Sequence, residues 1–194
     1  MQGGIFIRRN METVLASASP RRRELLARIV KDFSIVPAVG EERAEGNLPP
    51  EQIACALAEH KCDEVAASRK DSLVIGCDTV VVYGGKILGK PKDAADAENT
   101  LKMLSGRSHC VVTGVCVRLG DKKITRFEST EVVFNVLSEE FIKSYVAGGS
   151  PMDKAGSYGI QDGGIVKSYS GSYTNVVGLP VELVGEMIEE VRSK

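Results

Sequence analysis

The sequence predicts an α/β protein built on a mixed sheet. Three observations carry this. Helix-like and strand-like patterns alternate from Thr13 to Leu104. Leu73 to Val82 (LVIGCDTVVV) is nearly continuously apolar, as in a strand buried on both faces. Two β-rich stretches, Cys110–Leu119 and Lys122–Phe134, are joined by Gly120-Asp121 and read as a long hairpin, so part of the sheet is antiparallel.

The elements follow in order. Thr13–Ala16 is a short strand, and Pro20 to about Val30 a helix with Ser19 as its cap and proline at its first position. Phe33–Val36 is a second strand, followed by a polar loop from Pro37 to Pro50 that holds Glu41, Glu42, Arg43 and Glu45. Pro50 opens a long helix to about Ser68, on which Ile53, Leu57, Lys61 and Val65 fall four apart. After the central strand, Gly84-Gly85 turns the chain into a return strand, Lys86–Leu88. Asp93–Leu104 is a helix closed by Gly106. Ser138 caps a helix that ends at Gly148-Gly149, and Val181–Val191 is a final amphipathic helix. Between these two, Ser150–Tyr173 is rich in Gly, Ser and Tyr, the composition of a functional loop system.

Size and charge bound the function. The chain has 194 residues and a formal net charge of -1. It is large enough for one sizeable core or two small lobes sharing a sheet. Near-neutrality gives no global field toward nucleic acid or membrane, so neither is expected as a partner, and any anion site must be local. No apolar run approaches a membrane span, and Met1–Asn10 lacks the order of a signal peptide. Residues 1–10 are expected to be a flexible extension, and 11–194 a single domain. Five cysteines without C-x-x-C spacing and two histidines without H-x-x-x-H spacing point to a reduced, cytoplasmic protein with no histidine-built zinc site.

The chemistry concentrates in a few places. Ser17-Ala18-Ser19-Pro20-Arg21-Arg22-Arg23 puts serines and three arginines at a helix start, the unfavourable end of the helix dipole for cations. Free backbone N–H groups with clustered guanidinium groups make a phosphate-binding corner, and the arginines are expected to destabilise the empty protein. The ordinary alternative is a solvated basic turn. Asp78 interrupts the buried strand, where a carboxylate needs an ion pair, hydrogen bonds or a metal. Thr79 points to the other face unless a bulge intervenes. Lys90 stands before Pro91, which holds it extended: it either reaches a phosphate or is solvated. Gln161, in a stretch of small residues, can both donate and accept, as pyrimidine recognition requires. Asp153-Lys154 reads as an exposed pair of small worth. Neither a P-loop nor G-x-G-x-x-G occurs.

Five motifs in order resemble the Maf proteins: S-P-R-R-x-E-L-L, G-x-D-T-V-V, G-K-P, L-S-G-R-S-H-x-V-x-T-G-V and D-K-A-G-x-Y-G-I-Q. These are nucleoside triphosphate pyrophosphatases first known as septum-formation inhibitors. The resemblance runs from Val14 to about Leu183. It implies an elongated α/β fold like that of inosine triphosphate pyrophosphatases, with two lobes around a cleft, and a homodimer. It implies Asp78 as the catalytic acid and Glu41 as its partner for a divalent cation, Mg²⁺ or Mn²⁺, with Glu42 one residue away. Ser17, Arg21, Arg22, Lys61 and Lys90 resemble the phosphate-contacting set, and Arg21, Thr79 and Gln161 the positions of substrate choice. The D-K-A-G and I-Q pattern resembles the branch acting on dTTP and UTP. Asp162 departs from the family's usual glycine after the glutamine.

The implied reaction releases a nucleoside monophosphate and pyrophosphate. The competing readings are the same chemistry on another base, such as a modified purine, and a division regulator that binds nucleotide without turnover. Asp78, Glu41 and Lys90 together speak against the second.

Overall fold

The computed structural model describes residues 11–40 and 48–193. The expected extension at 1–10, and Glu41, Glu42, Arg43 and Glu45, lie outside the described residues.

The chain order is β1 (Thr13–Leu15), α1 (Pro20–Leu26), β2 (Ser34–Ile35), α2 (Pro50–Ser68), β3 (Leu73–Tyr83), β4 (Lys86–Leu88), α3 (Ala94–Leu104), β5 (Ser108–Leu119) and β6 (Lys122–Phe134). It continues with α4 (Glu139–Ala147), three short 3₁₀ turns between Ser150 and Asp162, β7 (Val166–Ser170), α5 (Tyr173–Val177) and α6 (Val181–Arg192). One seven-stranded sheet runs β2-β1-β3-β5-β6-β7, with β4 also on β3. Its β1 pairs are parallel and the remainder antiparallel, so the sheet is mixed as expected.

Ser19 caps α1 by accepting from the Arg22 N–H at 3.4 Å. Regular helix ends at Leu26 rather than near Val30, although turn hydrogen bonds continue to Val30. The strand β7 and the five-residue helix α5 were not expected. Both are short, and β7 is almost wholly exposed, so neither has an apolar period to announce it.

The two longest cores lie on the long strands β3 and β5. One packs α1 and α6 against Leu15, Ile75, Val115 and Val117. The other packs α3 and α4 against Val81, Val111, Val132 and Phe134. On the opposite face α2 lies close to the sheet. Its buried side is Ala54, Ala58, Cys62, Val65 and Ala66: of the expected stripe Ile53, Leu57, Lys61 and Val65 the last is buried, while the other three lie one residue round from the buried row. Small residues face the sheet because the helix backbone comes very near it. A Cβ added to Gly76 would stand 2.4 Å from the Ala58 carbonyl oxygen, and one on Gly114 2.2 Å from that of Ala54. The displaced stripe is thereby turned toward the side, where Leu57 and Lys61 line a cleft.

Candidate active site

A gap in sheet pairing creates the site. On one edge β3 pairs with β5 without interruption, from Leu73↔Leu119 to Val82↔Cys110. On its other edge β1 pairs with residues 73–75 and β4 with 81–83. Residues 76–80 have no strand beside them on that edge among the described residues. The cleft, with a volume of about 690 Å³, lies against this open edge.

The open edge explains how Asp78 and Thr79 share one site. The register contains no bulge, so their side chains leave opposite faces of the strand. Asp78 accepts from Lys61 of α2 at 2.6 Å. Thr79 bonds Thr113 across the sheet at 3.0 Å and accepts from Arg22 at 3.1 Å. With no neighbouring strand, a ligand at the edge meets both.

The Lys61–Asp78 pair is nearly withdrawn from water, with side chains 12% and 11% exposed. Desolvation makes such a pair costly, and it holds only with excellent geometry. It sets the carboxylate's direction at the cleft wall.

Arg22 is placed differently from the sequence expectation. Its Nη1 donates to the Cys77 carbonyl at 2.8 Å and to Ser17 Oγ at 3.4 Å, and Nε donates to the Gly178 carbonyl at 2.8 Å. With the Thr79 contact, its guanidinium is held on four acceptors. The expected destabilisation of the empty protein therefore does not apply to Arg22: these bonds outweigh a dipole term of roughly 0.3–1 kcal/mol. Arg21 instead reaches Asp153 at 2.8 Å, and Asp153 also accepts from Lys154 at 2.9 Å. The acid read as half of an exposed pair thus bridges α1 and the turn after Gly149. The two cations hold its carboxyl below the ordinary range against the raising effect of its partial burial.

All the described candidates line this one cleft: Ser17, Arg21, Arg22, Lys61, Asp78, Thr79, Lys90 and Gln161. Glu41 lies outside the described residues. Lys154, Asp153 and Tyr158 join the lining. Tyr158 is buried and its hydroxyl bonds His109 Nε2 at 2.8 Å, in a triad of edge-to-face rings with Phe134. Beneath the cleft, Thr113 donates to the Asn175 carbonyl at 3.0 Å, and Asn175 Nδ2 donates to Thr130 at 2.8 Å. Thr113 and His109 fall inside L-S-G-R-S-H-x-V-x-T-G-V, so their motif was visible. Asn175 had no motif to signal it.

Five basic side chains (Arg21, Arg22, Lys61, Lys90, Lys154) face two acids (Asp78, Asp153) around the cleft. Among the described residues no group of three or more His, Cys, Asp or Glu could hold a metal by itself. Mg²⁺ needs no such cage: one or two carboxylates suffice when substrate phosphates complete the shell, and Asp78 fits that donor chemistry.

Fold and site together define a class: an α/β protein with a basic cleft at an interrupted sheet edge, and one withdrawn carboxylate in its wall. The chain belongs to the Maf-like protein family, whose model matches residues 12–191. It is 49% identical over 178 residues to a dTTP/UTP pyrophosphatase of Thermococcus gammatolerans, covering 91% of this chain and 95% of that protein. It is 47% identical over 177 residues to a dTTP/UTP pyrophosphatase of Bacillus cytotoxicus, covering 90% and 93%. In fold it is similar to a HAM1 protein from Coxiella burnetii, with a TM-score of 0.51 at 14% identity, covering 93% of this chain and 99% of that one.

Proposed function

We propose that this chain hydrolyses dTTP and UTP to the nucleoside monophosphate and pyrophosphate. The observation that carries this is the meeting, in one cleft, of the Asp78–Lys61 pair, the basic groups and Gln161. Relatives nearly half identical over nine-tenths of the chain bear the name of that activity.

A triphosphate carries about four negative charges, and clustered cations in a partly enclosed cleft match them. Arg21, Lys90 and Lys154 hold the phosphate chain, while Arg22 and Ser17 shape the corner in which it rests. Asp78 aligns the attacking water and takes its proton. Lys61 keeps the carboxylate in position through its 2.6 Å contact. Attack at the α-phosphorus forms the new P–O bond and breaks the bond to the bridging oxygen, and pyrophosphate leaves with that oxygen. Cations fixed beforehand stabilise the charge that develops on the leaving group. A divalent cation, Mg²⁺ or Mn²⁺, would be held by Asp78 with Glu41 and would supply phosphate charge neutralisation. Gln161 reads the base edge with its donor and acceptor.

The family resemblance supports a homodimer, to be checked by sedimentation velocity. The free cysteines support a reducing, cytoplasmic setting. No helix among the described residues is long and apolar enough to cross a membrane.

The test is a panel of nucleoside triphosphates with Mg²⁺, scored for pyrophosphate against orthophosphate. Pyrophosphate from dTTP and UTP is expected. Orthophosphate release, or no turnover of any triphosphate, overturns the reading.

A further inference from the structure

The segment that brings Gln161 and Lys154 to the cleft is closed by a hydrogen-bond circuit that the reaction itself does not use. Asp162 Oδ2 accepts from the Tyr145 hydroxyl at 2.5 Å and from Ser150 Oγ at 2.7 Å. The same Tyr145 oxygen accepts from the Gly159 N–H at 3.2 Å. On the backbone side, the Asp162 N–H donates to the Gly159 carbonyl at 3.1 Å. One turn, 159–162, is thus closed twice: once through its backbone, once through a tyrosine hydroxyl that receives at one end and donates at the other.

Gln161 lies inside that turn. The space beside the Gly159 Cα is bounded by Asp162 Oδ2, Gln161 Nε2 and Lys154 Cε, at 2.8, 3.0 and 3.0 Å from where a Cβ would stand. Ser150 extends the circuit, since its carbonyl and hydroxyl accept from Lys154 Nζ at 2.5 and 3.1 Å. Tyr145 is itself steadied by stacking on Phe141, with ring planes 8° apart. Burial, then the neighbouring Asp162 carboxylate, push its phenol up to about 12, so it remains a donor at neutral pH.

We propose that Asp162 is a positioning residue for base selection: through Tyr145 and Ser150 it fixes the 159–162 turn, and so the aim of the Gln161 amide and the stance of Lys154. This rests on the pyrophosphatase reading and on Gln161 as the base reader. A glutamine on an unfixed turn presents donor and acceptor to many bases. On a fixed turn it presents them in one register, and selectivity follows from what the wrong base leaves unpaired.

The experiment uses the full chain with Asp162→Gly, Asp162→Asn, Tyr145→Phe and the double variant Asp162→Gly/Tyr145→Phe. Kinetics are measured on dTTP, UTP and CTP, with amide hydrogen exchange of residues 154–164 in the free protein. Asp162→Gly and Tyr145→Phe should each raise KM for dTTP about tenfold, as expected for one lost charge-assisted bond, with kcat within about twofold. The preference for dTTP over CTP should fall by a similar factor. Asp162→Asn should recover part of the loss. The double variant should lose less than the product of the two single fold-losses, because the Tyr145–Asp162 bond is common to both. Exchange at Gly159 should rise at least fivefold. Unchanged exchange overturns the proposal whatever the substrate. Unchanged KM and selectivity in a wild type that does hydrolyse dTTP overturn it too, as does an equal loss of kcat on every nucleotide. A wild type that turns over no triphosphate defeats the pyrophosphatase reading instead, and the exchange result still decides whether Asp162 holds the turn.

Discussion

The Arg22 guanidinium stands where a strand would: its Nη1 donates to the Cys77 carbonyl at 2.8 Å, on the edge of β3 that β1 and β4 leave open. A side chain thus supplies the hydrogen bond that the sheet omits, and the edge remains accessible on either side. Buried or half-buried carbonyls without a donor are costly, at roughly 1–3 kcal/mol each.

Arg22→Ala should therefore lower stability by about 2–4 kcal/mol, since the Cys77 and Gly178 carbonyls lose their donor together. Thermal unfolding should move down by roughly 5–15 °C for a chain of this size. Arg22→Lys should recover little, because an ammonium cannot span the same fork of acceptors. A melting temperature equal to or above wild type would return Arg22 to the role of an idle cation at a helix start.

The approach of α2 to the sheet gives a second expectation. Gly76→Ala or Gly114→Ala would drive a methyl group into helix backbone at 2.4 or 2.2 Å. Either should cost about 3 kcal/mol or more, and should push α2 outward. Lys61 rides on α2, so its 2.6 Å contact with Asp78 should lengthen and turnover should fall with stability. Denaturant unfolding and a crystal structure of the milder variant check both parts.

Much of this architecture was legible from the residues. The longer elements carry an apolar period, a cap or a glycine turn. The long strands and the 120–121 hairpin emerged because burial on both faces demands apolar runs. The serine–arginine corner and Asp78 were visible as residues out of keeping with their surroundings, while Lys90 and Gln161 drew their weight from the motifs that hold them. What stayed hidden is pairwise. Nothing in the sequence says that β1 and β4 stop short of each other along β3, and that gap is what lets Asp78 and Thr79 serve one cleft from opposite faces. The close approach at Gly76 and Gly114, and with it the rotation of α2 by one residue, needs both partners in view. The same holds for Arg22, whose dipole position was read correctly while its four acceptors, from Ser17 to Gly178, were out of sight.

His109 gives a pH expectation. It is 4% exposed, and burial lowers its imidazole from 6.5 to about 4. The folded protein holds the ring neutral while the unfolded chain protonates it near 6.5, so stability is fully present above that pH. It should decline as pH falls from 6.5 toward 4, by about 3 kcal/mol in all, and level off below, where both states carry the proton. His109→Gln should flatten the dependence between pH 6.5 and 5, whatever its absolute stability. Urea unfolding across that range gives the comparison. Parallel slopes for the two proteins would mean that His109 is not the group responsible.

Asp78→Asn separates chemistry from scaffold. The amide keeps the volume and an oxygen acceptor for Lys61 but cannot take a proton from water. Turnover should fall by at least a hundredfold, within the range removed with a general base. Stability should fall by only about 1–3 kcal/mol, less than the 3–5 expected when one partner of a buried pair is deleted outright. Circular dichroism, and nucleotide binding measured without a divalent cation, should stay close to wild type. Retained turnover would make the Lys61–Asp78 pair purely structural.

Arg21 should behave opposite to its neighbour. Its contact with Asp153 joins side chains 27% and 60% exposed, a geometry in which an ion pair is worth about 0–1 kcal/mol. Arg21→Ala should thus leave the melting temperature of the free protein within a few degrees of wild type. It should nevertheless lower kcat/KM for dTTP by about ten- to a hundredfold, the worth of one charge-assisted phosphate contact. Asp153→Asn releases the same guanidinium from its competitor in the empty cleft. It should lower KM or leave it unchanged, and should not raise it. A saturating triphosphate should raise the melting temperature of wild type and of Asp153→Asn by several degrees, and that of Arg21→Ala by less. If Arg21→Ala melts as low as Arg22→Ala while keeping its kinetics, both arginines belong to the scaffold and the phosphate chain lies nearer Lys90 and Lys154.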